Sequence, residues 1–239
     1  MAWLVWCSGQ SATLNQDKPD FCMPLMSVLL PLGLSQITGP AGLLEVLVEP
    51  PLAVGRLADT VGVVCHPLPT AAGTMHNKVV STTARSYRLC GMTAVRFQFR
   101  GVGGSEGQFD QGDGEQADLA AVITWVRQCA PGTAIWLAGF SFGAYVALTA
   151  AHCVNAETLI AIAPPIRRWD LSHVIPPPRW LVVQGDDDEL IDAKQVDIWA
   201  RAQPRPPSVH KMAATSHFFH RRLLDLQAVL QEQLRRWGA

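Results

Sequence analysis

From about residue 36 onward, short apolar runs rich in β-branched residues alternate with longer segments whose apolar positions recur every three or four residues. The runs at 43–49, 61–65, 93–99, 134–139, 158–163, 180–184 and 208–212 read as strands. Most are continuously apolar, as expected of strands covered on both faces. The run 43–49 is broken by Glu45 and Glu49 and is expected at the outside of the sheet. Between the runs lie four helical patterns. Residues 77–90 end at Gly91, a natural helix stop. Residues 115–129 place Leu119, Val122, Ile123 and Val126 at helical spacing, and 144–153 are small and apolar. Residues 218–237 carry Leu223, Leu226, Leu230, Leu234 and Trp237 on one stripe. This alternation predicts an α/β fold, a mostly parallel sheet with helices on both faces.

Composition fixes the scale. A chain of 239 residues, 49% hydrophobic and 16% charged, can bury one large core but not two comfortable ones. One domain over 36–239 is expected, with 1–35 as an N-terminal extension of uncertain status. The most apolar part of that extension, 21–34, is interrupted by Pro24 and Pro31 and has no basic segment before it. It does not read as a signal peptide, and it falls short of the roughly 18 apolar residues of a membrane span. A net charge of −1 provides no field for nucleic acid or an anionic membrane. The six cysteines form no Cys-x-x-Cys pair and mostly sit in apolar runs. That usage suits a reducing compartment, and the expected location is cytoplasmic.

Candidate chemistry begins where the strand at 134–139 ends. Gly139-Phe140-Ser141-Phe142-Gly143 is Gly-x-Ser-x-Gly, and an apolar helix follows at once. A serine on so sharp a strand-to-helix turn has its hydroxyl lifted clear of the sheet, beside the free amides of a helix N-terminus. Ser141 is the expected nucleophile. The bare pattern is short enough to occur by chance, and its position between strand and helix is what gives it weight.

A second signal, His66-Pro67-Leu68-Pro69, follows the strand at 61–65. An oxyanion hole of this geometry takes one N–H from the residue after the nucleophile, here Phe142, and one from this upstream loop. Pro67 and Pro69 have no N–H, so His66 and Leu68 are the available donors, and Leu68 is chosen. His66 reads as an orienting hydrogen-bonder of the turn.

An activated serine needs a histidine, and the histidine needs a carboxylate, in the chain order serine, acid, histidine. The acid is expected within Asp186-Asp187-Asp188-Glu189, after the strand at 180–184. Spacing alone does not choose among the four. A calcium loop is the competing reading of that run, but it lacks the ligand spacing. The base is expected at His217, in the loop before the last helix, with His220 falling inside that helix's first turn.

Taken together these residues resemble the α/β-hydrolase superfamily. More narrowly, over about 36–237, they resemble small lidless bacterial serine hydrolases related to dienelactone hydrolases. The motifs that carry the resemblance are His66-Pro67-Leu68-Pro69, Asn77-Lys78-Val79-Val80, the glycine-rich 97–107 segment, Gly139 to Gly143, Gly185 to Glu189, and His217-Phe218-Phe219-His220. The resemblance implies that the acid is Asp188, the fourth residue of a Gly-x-x-Asp turn, and that the base is His217. Ser141 departs from the cysteine nucleophile of dienelactone hydrolase itself, so the lactone substrate is not carried over. Related sequences often have a second histidine where this one has Leu68.

The expected activity is therefore carboxylesterase-like: hydrolysis of small esters or thioesters through an acyl-serine. No metal or organic cofactor is called for. The expected partner is a small-molecule ester, with no nucleic acid and no membrane, and a homodimer is left open. The segment between the strands at 158–163 and 180–184 is too short for a cap domain, so an open site is expected. Two alternatives stand beside this reading. One is peptide or lactone hydrolysis by the same residues, and the other is a non-catalytic protein that keeps the fold for binding.

Overall fold

The structure, a computed structural model, describes residues 30–239, so most of the 1–35 extension lies outside the described residues. The described chain forms one sheet of eight strands, in the spatial order β1-β2-β4-β3-β5-β6-β7-β8. The strands are β1 Gly33–Gly39, β2 Gly42–Glu49, β3 Thr60–Cys65, β4 Thr93–Phe97, β5 Ala134–Phe140, β6 Thr158–Ile162, β7 Arg179–Gly185 and β8 Ser208–Met212. β2 runs antiparallel to both β1 and β4, and every pairing from β4 to β8 is parallel.

Burial follows position in the sheet. Every residue of β3, β4 and β6 is buried, while β1 alternates and β8 is largely exposed. Continuous apolar sequence thus marks the strands sandwiched between helix layers. The segment 43–49, expected at the outside, is the second strand. The edge is β1, whose Gly33-Leu34-Ser35-Gln36-Ile37-Thr38-Gly39 is too polar to stand out as a strand. β1 takes in residues 33–35 of the expected extension.

Five helices are described: α1 Lys78–Leu89, α2 Asp113–Cys129, α3 Phe142–Ala150, α4 Ala193–Arg201 and α5 Leu223–Trp237. α1 packs with α5 and α2 packs with α3, making the two layers. α4, absent from the sequence reading, is nine residues long and is capped by the Asp192 side chain, which accepts the N–H groups of Lys194 and Gln195. α5 starts five residues later than its periodicity suggests. Phe219 and Arg221 take positive φ values of 55° and 60°, which a continuous helix excludes. His220 therefore lies in an irregular loop, not in a first helical turn.

β3 and β5 are neighbours whose connections leave in opposite directions, through α1 to β4 and through α3 to β6. Such a switch opens a crevice at the C-terminal ends of the strands. No cap domain fills the β6–β7 connection, which carries neither helix nor strand.

Candidate active site

Ser141 occupies the turn between β5 and α3 with φ 53° and ψ −117°, a left-handed conformation that serine adopts only under constraint. Its N–H donates to the Ile162 carbonyl at 2.8 Å, and its own carbonyl accepts from Ala144 and Tyr145. The flanking glycines are forced by contact. A Cβ on Gly139 would lie 2.0 Å from the Gly143 carbonyl oxygen, and one on Gly143 would lie 2.3 Å from the Cys65 oxygen. The motif's glycines therefore let the elbow press against the end of β3.

His217 comes from the loop after β8. Its Nε2 lies 3.1 Å from Ser141 Oγ, and its Nδ1 lies 2.8 Å from Asp188 Oδ2. With the carboxylate on Nδ1, that nitrogen carries the proton, and Nε2 is left to accept from the serine hydroxyl. The imidazole is buried and rests beside the Phe140 and Phe218 rings, each with its centroid 5.1 Å away.

Among the four acids only Asp188 reaches the imidazole, and its carboxylate accepts four N–H donors. Oδ1 accepts the backbone N–H groups of Leu190 and Ile191, and Oδ2 accepts from His217 Nδ1 and from Gln184 Nε2 at 2.9 Å. Burial pushes the Asp188 carboxyl up. The hydrogen bond to His217, its charge and the two backbone donors outweigh that effect and hold the group below its ordinary range. The neighbouring acids brace the histidine loop. Glu189 accepts the His217 backbone N–H at 3.0 Å, and Asp187 N–H donates to the Thr215 carbonyl at 3.2 Å.

Gln184 was not singled out by sequence. It is fully buried at the end of β7, and its Nε2 also faces the Gly185 and Ile191 carbonyls. Those three acceptors fix which way the amide points. The only sequence signal was a glutamine ending a strand that is otherwise apolar.

On the opposite side, Leu68 precedes a 3-10 turn at Pro69–Ala71, and its carbonyl accepts the N–H groups of Ala71 and Gly73. Neither the Leu68 N–H nor the Phe142 N–H donates to any acceptor among the described residues. Both residues adjoin Ser141, Phe142 by sequence and Leu68 across a shared cavity. His66 is buried beneath, with Nδ1 2.7 Å from the Pro67 carbonyl and Nε2 accepting the Phe99 N–H at 3.0 Å. Both nitrogens are engaged away from Ser141. Burial lowers the His66 pKa to about 4, partly opposed by its bond to the Pro67 carbonyl.

These groups open into a cavity of about 300 Å³. Its apolar lining includes Leu68, Pro165, Trp169, Leu190, Ile191 and Phe218, and its charged lining consists of Arg167, Arg168 and Asp192 beside His217. A larger groove of about 570 Å³ between 174–178 and 204–205 holds His152 but neither a serine nor a carboxylate. It lies apart from this chemistry.

The chain is similar to known α/β serine hydrolases. Residues 58–236 match the family model described as X-Pro dipeptidyl-peptidase (S15 family). The crystal structure of an α/β serine hydrolase without a lid from Xanthomonas campestris is 51% identical, covers 87% of this chain and 97% of its own, and superposes with a TM-score of 0.83. An α/β serine hydrolase homologue from Coxiella burnetii is 41% identical, with 84% and 96% covered and a TM-score of 0.79. An uncharacterized protein of Rickettsia prowazekii is 37% identical over 142 residues, 57% of this chain. The match spans 60% of that curated relative's length.

Proposed function

The chain belongs to the X-Pro dipeptidyl-peptidase (S15) family of α/β serine hydrolases, and on that premise we propose that it cleaves small carboxylic esters or thioesters through an acyl-serine intermediate. The observation that carries this reading is the continuous hydrogen-bonded chain Ser141–His217–Asp188, opening on a small cavity of apolar and charged lining, with two unused N–H donors on residues that adjoin Ser141.

The mechanism is an expectation of that geometry. Ser141 Oγ attacks the carbonyl carbon as His217 Nε2 takes its proton. The carbonyl oxygen becomes an oxyanion facing the Phe142 and Leu68 N–H groups, and losing one such donor costs about 3 kcal/mol of barrier. Collapse breaks the bond to the alcohol or thiol, which leaves with the proton from His217. Water then attacks the acyl-serine, again giving its proton to Nε2, and the acid departs as Ser141 is reprotonated. Asp188 stays ionised and holds the Nδ1 proton, which fixes the tautomer and stabilises the imidazolium. Water and these side chains carry every proton that moves.

The family's description favours a second reading, hydrolysis of a peptide bond after proline. A dipeptidyl substrate brings a free ammonium group to the site, and carboxylates would be needed to receive it. The cavity is instead lined by two arginines, Arg167 and Arg168, and one acid, Asp192, whose carboxylate already caps α4. That balance favours the ester.

The test is a series of p-nitrophenyl esters from acetate to decanoate, run beside alanyl-prolyl-p-nitroanilide and with Ser141→Ala in parallel. The expected result is ester hydrolysis that declines for the longest acyl chains and is lost in the variant. Cleavage of the anilide alone would establish the peptidase reading. Inactivity on every substrate would establish a binding protein.

A further inference from the structure

The loop after β6 puts two consecutive arginines, Arg167 and Arg168, on the wall of the Ser141 cavity. The loop is a tight turn: the N–H groups of Arg168 and Trp169 both donate to the Pro165 carbonyl. Trp169 anchors it, stacked on Tyr145 with centroids 5.6 Å apart and packed against Phe142 at 5.2 Å. The Arg168 guanidinium carbon sits 4.8 Å from the centroid of the Trp169 ring. The indole thus gives this exposed charge a fixed platform beside the reacting centre.

Elsewhere in the chain many arginines have carboxylate partners. Arg88 and Arg96 share Glu49, Arg100 holds Asp118, Arg222 holds Asp225 and Arg201 holds Asp197. Arg167 and Arg168 make no ion pair among the described residues. The nearby acids are otherwise occupied: Asp188 holds His217, Glu189 holds the His217 backbone, and Asp192 caps α4. Arg167 also borders a neighbouring depression lined by Asp186, Asp188, Glu189 and Asp192, whose negative charge offsets its own. Arg168 adjoins the Ser141 cavity and not that depression.

We propose that this cavity selects esters that carry a carboxylate at a distance from the scissile bond, with Arg168 as the anchor and Arg167 adding to the positive potential. A planar guanidinium receives a carboxylate through two parallel hydrogen bonds, while the apolar walls take the intervening methylenes. The inference rests on the reading of Ser141 as the nucleophile and adds the charge of its substrate. The carboxylate can belong to the acyl group or to the alcohol, and paired substrates separate the two.

On the acyl side, mono-p-nitrophenyl glutarate is compared with its neutral methyl ester. On the alcohol side, para-carboxyphenyl pentanoate is compared with para-methoxycarbonylphenyl pentanoate. The expected result is a charged-to-neutral ratio of kcat/KM of about five or more in one pair, expressed mainly in KM, as befits a partly exposed ion pair. In Arg168→Ala the ratio falls to about one. Arg168→Lys keeps part of it, and Arg201→Ala, on α4 and paired with Asp197, keeps all of it. A wild-type ratio of one or less in both pairs, or a ratio unchanged in Arg168→Ala, overturns the inference while leaving Ser141-dependent hydrolysis intact. If no ester is cleaved in a Ser141-dependent way, the proposed function falls and takes the inference with it.

Discussion

The loop that follows β3 is held by backbone packing, whereas the loops that follow β7 and β8 are held by side-chain carboxylates. On the β3 side, glycines do the work of close approach. Gly143 lies where any Cβ would meet the Cys65 and His66 carbonyls, and a Cβ on Gly73 would lie 2.1 Å from the Pro67 oxygen. His66 is buried there with both ring nitrogens bonded. On the far side, Asp188 gathers four N–H donors, and Glu189 reaches across to the His217 backbone. One bank positions amides by excluding side chains, and the other positions an imidazole by using them. The first therefore shows in sequence as Gly and Pro at fixed places. The second shows only as an acidic cluster.

The difference can be broken first on the backbone side. Gly143→Ala forces the end of β3 away from the elbow, because the clashing atoms are carbonyl oxygens that cannot rotate aside. The expected cost is about 2 kcal/mol of stability. A displacement approaching 1 Å of the Leu68 amide would lower kcat by about 100-fold. Thermal unfolding and ester kinetics read both effects, and an active variant with unchanged stability would show that the contact is slack.

A second effect separates the two banks by pH. The folded pKa of His66 lies near 4, below its ordinary 6.5. Its contribution to stability is therefore complete above pH 6.5 and is lost as the pH falls toward 4, because only the unfolded chain then takes the proton. The full loss is about 3 kcal/mol, at about 1.4 kcal/mol per pH unit. Urea unfolding at pH 6.5 and pH 5 should show that slope, and His66→Gln should flatten it. An equal slope in the variant would place the acid sensitivity elsewhere.

The smallest effect lies on the carboxylate side. Gln184→Leu removes one donor from Asp188 and leaves the two backbone N–H groups and His217. One of the donors that hold the carboxylate against His217 is then missing, so kcat should fall by less than about tenfold with KM little changed. A purely structural glutamine would lower Tm and leave kcat in place.

Legibility follows the same division. The sheet, its parallel run and the Ser141 elbow were readable because fully buried strands are continuously apolar and the elbow demands glycine. The edge strand β1 was not, since an exposed strand carries polar residues such as Ser35 and Gln36. The start of α5 was not, because the turn through Phe219 and Arg221 uses left-handed conformations that no residue there advertises. Spacing brought the acid to within four residues, and resemblance pointed to Asp188. Only the fold could show that Glu189 braces His217 and that Gln184 shares Asp188.

The most direct test of the central claim is reaction with a fluorophosphonate, followed by mass spectrometry of the digested protein. An activated serine attacks the phosphorus and keeps it, while an unassisted hydroxyl does not. The expected result is a single adduct on the peptide holding Ser141 and none in Ser141→Ala. An unmodified wild-type chain, or an adduct on another residue, would contradict the assignment of Ser141 as the nucleophile.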